Sequence, residues 1–571
     1  MEVSVKRLIP PLIAIAIIAA VVYFVFYPEY QERYEYSDER ADLLDYFGLS
    51  DADENDVTII LQDAQIPEKA RYLDGAYYFD LATVYKYFNT RFYVDEREGL
   101  LLYSQPDDTI RTQIGSRLVS TRDGDTSHRH AVARYEGDTL YIAVDYVKEY
   151  ANFSYEAFRD PGRMQVYTEW GDVHVARLNR DTAVRYRGGV KSPILTDVAR
   201  DERVIVLEEM ETWAKVKTAD GFIGYVELRR LGTVYSERLV PVTDYMEPYF
   251  ASQTREHKIS MGWHYVAGSS GNDTIYEVTR HAKGLNVISP TWFLLNDDEG
   301  NITSFASNTY VRAARDMGLE VWGLAENITN DIDMYELLSA TSKRAYLIEN
   351  LINLALEYGL DGINIDFEDL RADTGPHFVQ FIRELSIPCR EHGLVLSVDN
   401  YVPYSFNDFY NRAEQGVFAD YVVIMGYDEH YRGSEKAGSV ASIDYVEHGI
   451  RATVEQVPAH KVINGVPFYT RIWETEGAFV TSQAVGMELA AQWVANRGLT
   501  PEWDDVTCQN YAEYTDSDGG RHQAWLEDAD SLRVKFNVMK AHDIGGVAFW
   551  QLGQETPDVW DVVLEYLVVT P

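Results

Sequence analysis

The chain has 571 residues, with 91 Asp and Glu against 51 Lys and Arg, giving a formal net charge of −40. Such an acidic balance excludes nucleic acid as a partner, because phosphate recognition needs a basic footprint, and it excludes charge-driven adhesion to anionic lipid headgroups. The length exceeds one core and implies three or four domains, while 46% hydrophobic and 13% aromatic residues mark globular material rather than disorder.

Lys6 and Arg7 precede an uncharged run, LIPPLIAIAIIAAVVYFVFY, over residues 8–27. That is about the length a helix needs to cross a bilayer. Basic residues stand before it and Glu29, Glu32 and Glu35 after it. The positive-inside rule then predicts a single-pass anchor in the cell membrane, with the N-terminus cytoplasmic and the bulk of the chain extracellular. A cleaved signal peptide is the competing reading. Residues 28–55 are acidic and tyrosine-rich and read as a stalk with one short helix around 39–47.

Residues 56–170 hold a weak internal repeat: FDLATVYKYFNTRFYVDEREGLLLY (79–103) aligns with IAVDYVKEYANFSYEAFRDPGRMQVY (142–167). Each copy reads as a short strand, a helix with apolar residues at helical spacing, and a strand pair around a turn, at Glu98–Gly99 or Pro161–Gly162. This pattern resembles the small α+β repeat domain first named from the N-terminus of copper amine oxidase. No copper ligands are visible, so the resemblance implies a wall-binding or spacer role. Residues 175–232 read as all-β, with alternating strands and a turn at Asp220–Gly221. WAKVKTADGFIGYV within them resembles a bacterial SH3-like domain, which implies cell-wall contact or simple spacing.

Residues 240–571 change character. Short apolar runs at 259–267, 285–293, 319–327, 360–368, 394–402, 419–430, 461–473 and 545–553 alternate with amphipathic stretches such as 342–359 and 377–393. Eight strand–helix units predict a closed β/α barrel. The gap over 474–544 is long, and a hairpin around Asp518–Gly519–Gly520 predicts a small α+β insertion forming a wall of a cleft. Cys389 and Cys508 make neither a disulfide framework nor a zinc set and read as two unpaired, buried thiols.

The fourth apolar run, DGINIDFE, alternates. Ile363, Ile365 and Phe367 fall on one face and Asn364, Asp366 and Glu368 on the other. Three polar groups on the inner face of a barrel strand are costly to bury, and barrel active sites sit at the strands' C-terminal ends. A hydrogen-bond network tying strands together is the competing structural explanation. Asp366 and Glu368, at i and i+2, place two carboxyls side by side. They resist ionising together, so one pKa rises. Glu368, nearer the rim, could then hold a proton near neutral pH and donate it to a leaving oxygen.

DGINIDFE resembles the DGxDxDxE signature of glycoside hydrolase family 18. MGYD (425–428), GVPFYTRIW (465–473) and the Trp of GGVAFWQL, Trp550, resemble that family's motifs on strands six, seven and eight. The resemblance implies that Glu368 protonates the glycosidic oxygen and later activates water. The nucleophile would be the substrate's own 2-acetamido oxygen, the substrate-assisted exception among retaining glycosidases. Asp366 would orient the acetamido N–H and Tyr427 would hold its carbonyl under the anomeric carbon. Trp550 would floor the sugar subsite, and Met425, Asp428, Tyr469 and Arg471 would contact sugar or brace the site. An Asp428–Arg471 salt bridge without further role stays open. Asp361 would be structural. No metal or cofactor is implied.

Many chitinases carry Asp where this chain has Asn364, so Asp366 is expected to be tuned by hydrogen bonding alone. GINIDFE with NVISPTWF resembles the bacterial branch of spore-cortex N-acetylglucosaminidases, which makes peptidoglycan the expected glycan. A chitinase or chitooligosaccharide hydrolase, and a non-catalytic glycan-binding scaffold, are the alternatives. Trp263, Trp292 and Trp322 read as core or rim.

Overall fold

The computed structural model describes residues 9–568 apart from 242 and 244. It divides into two compact units, one holding the chain up to Phe92 with Thr112–Glu247, the other holding Tyr93–Arg111 with the chain from Pro248 on. The expected membrane anchor does not stand. Among the described residues no helix is long and apolar enough to cross a membrane. The first helix runs Ile9–Tyr34. The extracellular placement read from it falls with it. Lys6 and Arg7, on which the cytoplasmic orientation rested, lie outside the described residues.

The first unit contains two seven-stranded sheets. In one, strand Ala76–Asp80 runs into helix Leu81–Tyr87, and strand Thr139–Ala143 runs into helix Val144–Glu149. The second of these continues into the hairpin Ser154–Phe158 and Arg163–Tyr167 of the same sheet. The other sheet is antiparallel and spans Asp172–Arg238. Its turn at Asp220–Gly221 uses a left-handed Gly221, φ 87°, a conformation that costs glycine nothing. The end of the acidic N-terminal segment is tied down here: Phe47 and Leu49 enter this sheet's core beside Val184, Val216 and Phe222.

In the second unit, eight strands form the barrel: β1 Ile259–His264, β2 Val287–Leu295, β3 Glu320–Glu326, β4 Gly362–Asp366, β5 Val395–Tyr401, β6 Tyr421–Met425, β7 Val462–Pro467 and β8 Gly546–Trp550. Each pairs in parallel with its neighbours, and β8 pairs with β1, so the sheet closes. Two apolar layers result. Met261, Trp263, Trp322, Leu324 and Val423 fill the interior. Ile363, Ile365 and Phe367 of the β4 run join Trp292 and the helices outside. The alternation along β4 therefore separates an apolar outer face from a polar inner one.

Helices α1 Thr341–Tyr358 and α2 Gly375–His392 flank β4 in the chain. The first ends where Gly359 turns left-handed, φ 65°. The second buries Phe378, Phe381, Ile382, Leu385 and Cys389, a stripe at three- and four-residue spacing, each large side chain contributing about 1.5–3 kcal/mol when fully buried. Residues 93–111 brace both. Asp95 Oδ2 accepts from the Thr341 N–H and hydroxyl, each at 2.6 Å, supplying the carboxylate that the start of a helix favours. The Arg344 guanidinium, fully buried, is held by Glu384 at 2.9 and 3.0 Å and donates to the Tyr93 hydroxyl at 3.1 Å. Gln380 donates to Ser104 Oγ at 3.1 Å.

The seventh run does not stay in the barrel. β7 stops at Pro467, and Phe468 closes the ladder by donating to the Trp550 carbonyl at 2.7 Å. Tyr469–Glu476 then opens a five-stranded sheet with Phe479–Gly486, Glu502–Asp504, Gln509–Thr515 and Arg521–Leu526. The insertion thus begins at Tyr469 rather than 474. It ends before helix Ala529–Ala541, whose Leu532, Phe536 and Met539 belong to the barrel's outer layer. Both thiols are free; Cys389 is buried, but Cys508 is partly exposed, since it sits in a turn with φ 54°.

Candidate active site

Asn364 is the centre of a buried junction. Its Oδ1 accepts from Trp263 Nε1 at 2.9 Å and from Ser289 Oγ at 3.1 Å, and its Nδ2 donates to Asp399 Oδ1 at 2.8 Å. One amide therefore ties β1, β2, β4 and β5 together. An amide suits this place because it accepts and donates at once.

Next along β4, Asp366 is buried, and its Oδ1 has no hydrogen-bond partner. Its pKa stands well above the ordinary carboxylate range, first through burial and then through the charges of Asp399, Glu368 and Glu326. The expectation of tuning by hydrogen bonding alone is overturned: burial and neighbouring carboxylates tune it. Asp399 is likewise raised by burial, against the opposing effect of the Asn364 amide. With an amide at Asn364, the buried carboxyl that acts on Asp366 from the neighbouring strand is Asp399 of β5.

Glu368 lies just past the end of β4. Asn327 fixes its backbone from both sides, accepting its N–H at 2.8 Å and donating to its carbonyl at 2.9 Å. The Tyr401 hydroxyl donates to Oε2 at 2.7 Å; among the described residues Oε1 has no hydrogen-bond partner. Burial raises the pKa of Glu368; the Tyr401 bond opposes the rise, and Asp369, Asp428 and Glu326 add to it. A carboxyl with a raised pKa at the mouth of a barrel suits general acid catalysis.

Tyr427, just past β6, has its phenol pKa pushed far up by burial and by Asp366, Tyr469, Asp399 and Glu368, so it is a neutral donor. Its ring meets Trp263 edge-on at 6.4 Å, and Trp263 meets Trp550 at 5.9 Å. Tyr469 donates to Asp428 Oδ1 at 2.6 Å, and Arg471 Nη2 stands 3.8 Å from the same oxygen. Met425, 8% exposed, ends β6. The structure thus brings Asp366, Glu368, Tyr427, Asp428, Tyr469 and Arg471 into one chain of contacts and charges. Asp361 lies apart, at the other end of β4, where Oδ2 accepts from the Val321 N–H at 2.9 Å and Arg315 stands at 3.7 Å.

Sequence reasoning missed Asp399, Tyr401 and Glu326. Ser397, Asp399 and Tyr401 show the same i, i+2 alternation as β4, and that signal was legible. Glu326 ends β3, with one oxygen accepting from the Thr329 N–H at 2.9 Å and the other buried without a partner. Away from the barrel mouth, Glu474, Asp516 and His522 of the insertion bring ligand atoms within 4.8 Å of one another. His522 is hydrogen-bonded to Asp516 at 3.0 Å and stacked on Tyr514 at 4.5 Å, which an ordinary Asp–His pair explains.

Residues 325–555 match the family model described as glycosyl hydrolases family 18. The chain is 24% identical over 311 residues to a protein of Bacillus subtilis (strain 168) named uncharacterized glycosylase YvbX, covering 52% of this chain and 90% of that one. It is 28% identical over 253 residues to the cortical fragment-lytic enzyme of Bacillus anthracis, covering 43% of this chain and 58% of that protein. The chain thus spans little over half the length of the cortical fragment-lytic relative. Its fold is similar to the crystal structure of the Bacillus cereus spore cortex-lytic enzyme SleL, with a TM-score of 0.51, 22% identity, and coverage of 58% of this chain and 79% of that one. The chain thus carries a glycoside hydrolase family 18 domain over residues 325–555, which contains the acid on β4 and its neighbours.

Proposed function

We propose that the chain cleaves β-1,4 bonds after N-acetylglucosamine in peptidoglycan, by substrate-assisted, retaining catalysis. Glu368 is the general acid in the first step and the general base in the second. The observation that carries the reading is the state of Glu368: its pKa is raised by burial, one oxygen is held by Tyr401, and it sits at the C-terminal end of a barrel strand. In the first step Glu368 gives its proton to the leaving glycosidic oxygen as the substrate's acetamido oxygen attacks the anomeric carbon. Tyr427 donates to that acetamido oxygen, and Asp366 accepts from the acetamido N–H. In the second step Glu368 takes a proton from water, which opens the ring with net retention. Trp550 and Met425 line the sugar's seat. The relatives named as cortex-lytic enzymes favour peptidoglycan as the glycan, and residues 175–232 add a wall-contacting module to this reading.

The test is mass spectrometry of products from the full chain incubated with purified peptidoglycan, beside Glu368→Gln. Fragments with new reducing N-acetylglucosamine ends, absent with the variant, are the expected result; removing a general acid costs about 10²–10⁴ in rate. Cleavage of chitooligosaccharides without cleavage of peptidoglycan would assign the same chemistry to a neutral glycan. Silence on both would make the barrel a binding module.

A further inference from the structure

A groove of about 620 Å³ runs between the loop after β6 and the insertion strand Phe479–Gly486, lined by Arg432, Gly433, Arg471, Thr481, Ser482 and Gln483 among others. Two arginines line it. Arg471 is mostly buried, 12% exposed; Nη1 donates to Ser482 Oγ at 3.2 Å, and Nε is buried with no hydrogen-bond partner. Arg432 is exposed, and among the described residues it makes no hydrogen bond or ion pair. In a chain of net charge −40 whose barrel mouth carries Asp366, Glu368, Glu326 and Asp399, this groove instead presents cationic donors free to meet an anion: the Arg432 guanidinium and the unbonded Arg471 Nε. The groove also adjoins the acid: Asp428, 3.8 Å from Arg471, is one of the charges that Glu368 feels.

We propose that this groove is an anion subsite in which Arg432 and Arg471 receive a carboxylate carried by the glycan, so that the enzyme selects a carboxylated glycan over a neutral one. The inference rests on the reading of Glu368 as the glycosidic acid and names the substrate class of that same site. A guanidinium fork presents parallel N–H donors that match a carboxylate, and the Thr481 and Ser482 hydroxyls supply further donors. A polymer of N-acetylglucosamine alone offers no anion. In peptidoglycan the muramyl sugar on the leaving side of the cut bond carries a lactyl group, whose carboxyl is a free anion where the stem peptide is absent and otherwise leads into a peptide that bears its own carboxylates.

The experiment uses the full chain with Glu368→Gln, so that binding is read without turnover. Calorimetric titrations compare a muramyl-containing tetrasaccharide, the same tetrasaccharide with its carboxyls converted to amides, and chitotetraose. The carboxylate form is expected to bind about tenfold more tightly than the amide form, the scale of one charge-assisted hydrogen bond. Adding Arg432→Gln is expected to bring that ratio close to one, and raising the salt concentration is expected to shrink it in the Arg432 protein. Equal affinity for the two forms, or a preference that survives Arg432→Gln, overturns the subsite. The two readings fail separately. If the unmodified chain cuts no glycan, the catalytic reading falls while the binding ratio still reports on the groove. If it cuts glycans but binding is blind to the carboxyl, the subsite falls and the glycosidase stands.

Discussion

Asn364→Asp places a second carboxyl where an amide now donates to Asp399 at 2.8 Å. The variant keeps an acceptor for Trp263 and Ser289, so little is lost while the new pair holds a proton. Two full charges at that distance would repel by roughly 6 kcal/mol at an effective dielectric of about 20. The pair therefore retains a proton in the fold that it releases when unfolded. A carboxyl with a raised folded pKa supports the fold below its unfolded pKa and withdraws that support as pH rises. The difference between variant and wild type should grow by up to 1.36 kcal/mol per pH unit, hence about 4 kcal/mol between pH 5 and 8. Urea unfolding followed by tryptophan fluorescence at several pH values reads this directly, since Trp263 lies at the junction. Equal penalties at pH 5 and 8 would refute the account, because an uncoupled or solvated pair gives a constant offset.

Tyr401→Phe removes the donor on Glu368 Oε2, and with it the effect that holds the Glu368 pKa down. The alkaline limb of the pH–rate profile should move upward by about 1–2 units; a limb that stays in place would mean Tyr401 does not act on the acid. Asp366→Asn deletes a buried carboxyl whose pKa is raised. That carboxyl favours the fold when protonated and opposes it as pH rises through its folded pKa. The variant should therefore gain melting temperature over wild type at pH 8 relative to pH 5 while turnover falls, and a gain that is the same at both pH values would count against the raised pKa. Glu384→Gln leaves the Arg344 guanidinium buried without its carboxylate. Breaking such a pair costs about 3–5 kcal/mol, measured by urea unfolding; a loss under about 1 kcal/mol would show that the pair is not desolvated.

Much of this was legible along the chain. A period-two pattern needs only the alternation of strand side chains, so the inner trio of β4, the eight-fold alternation of strands and helices, and the turn at Asp220–Gly221 all follow from local residues. The membrane anchor that composition suggests does not stand, since among the described residues no helix is long and apolar enough to cross a membrane. The exit of the chain from the barrel after Pro467 was hidden because VPFYTRIW reads as one continuous strand. Only the Phe468 N–H bond to the Trp550 carbonyl, from a strand some 80 residues on, ends the ladder there.

The sequence by itself determined which residue types could do acid chemistry and on which strand they stand, because those depend on identity and spacing. Tertiary structure alone decided what those residues feel. Asp399 stands against Asn364, Tyr401 against Glu368, and Arg344 against Glu384 and Tyr93, while Arg432 and Ser482 line one groove. Each of these neighbours belongs to another strand, loop or hairpin, and burial and charge act through space rather than along the chain. The pKa of Glu368 is raised by burial and by neighbours that come from other parts of the chain.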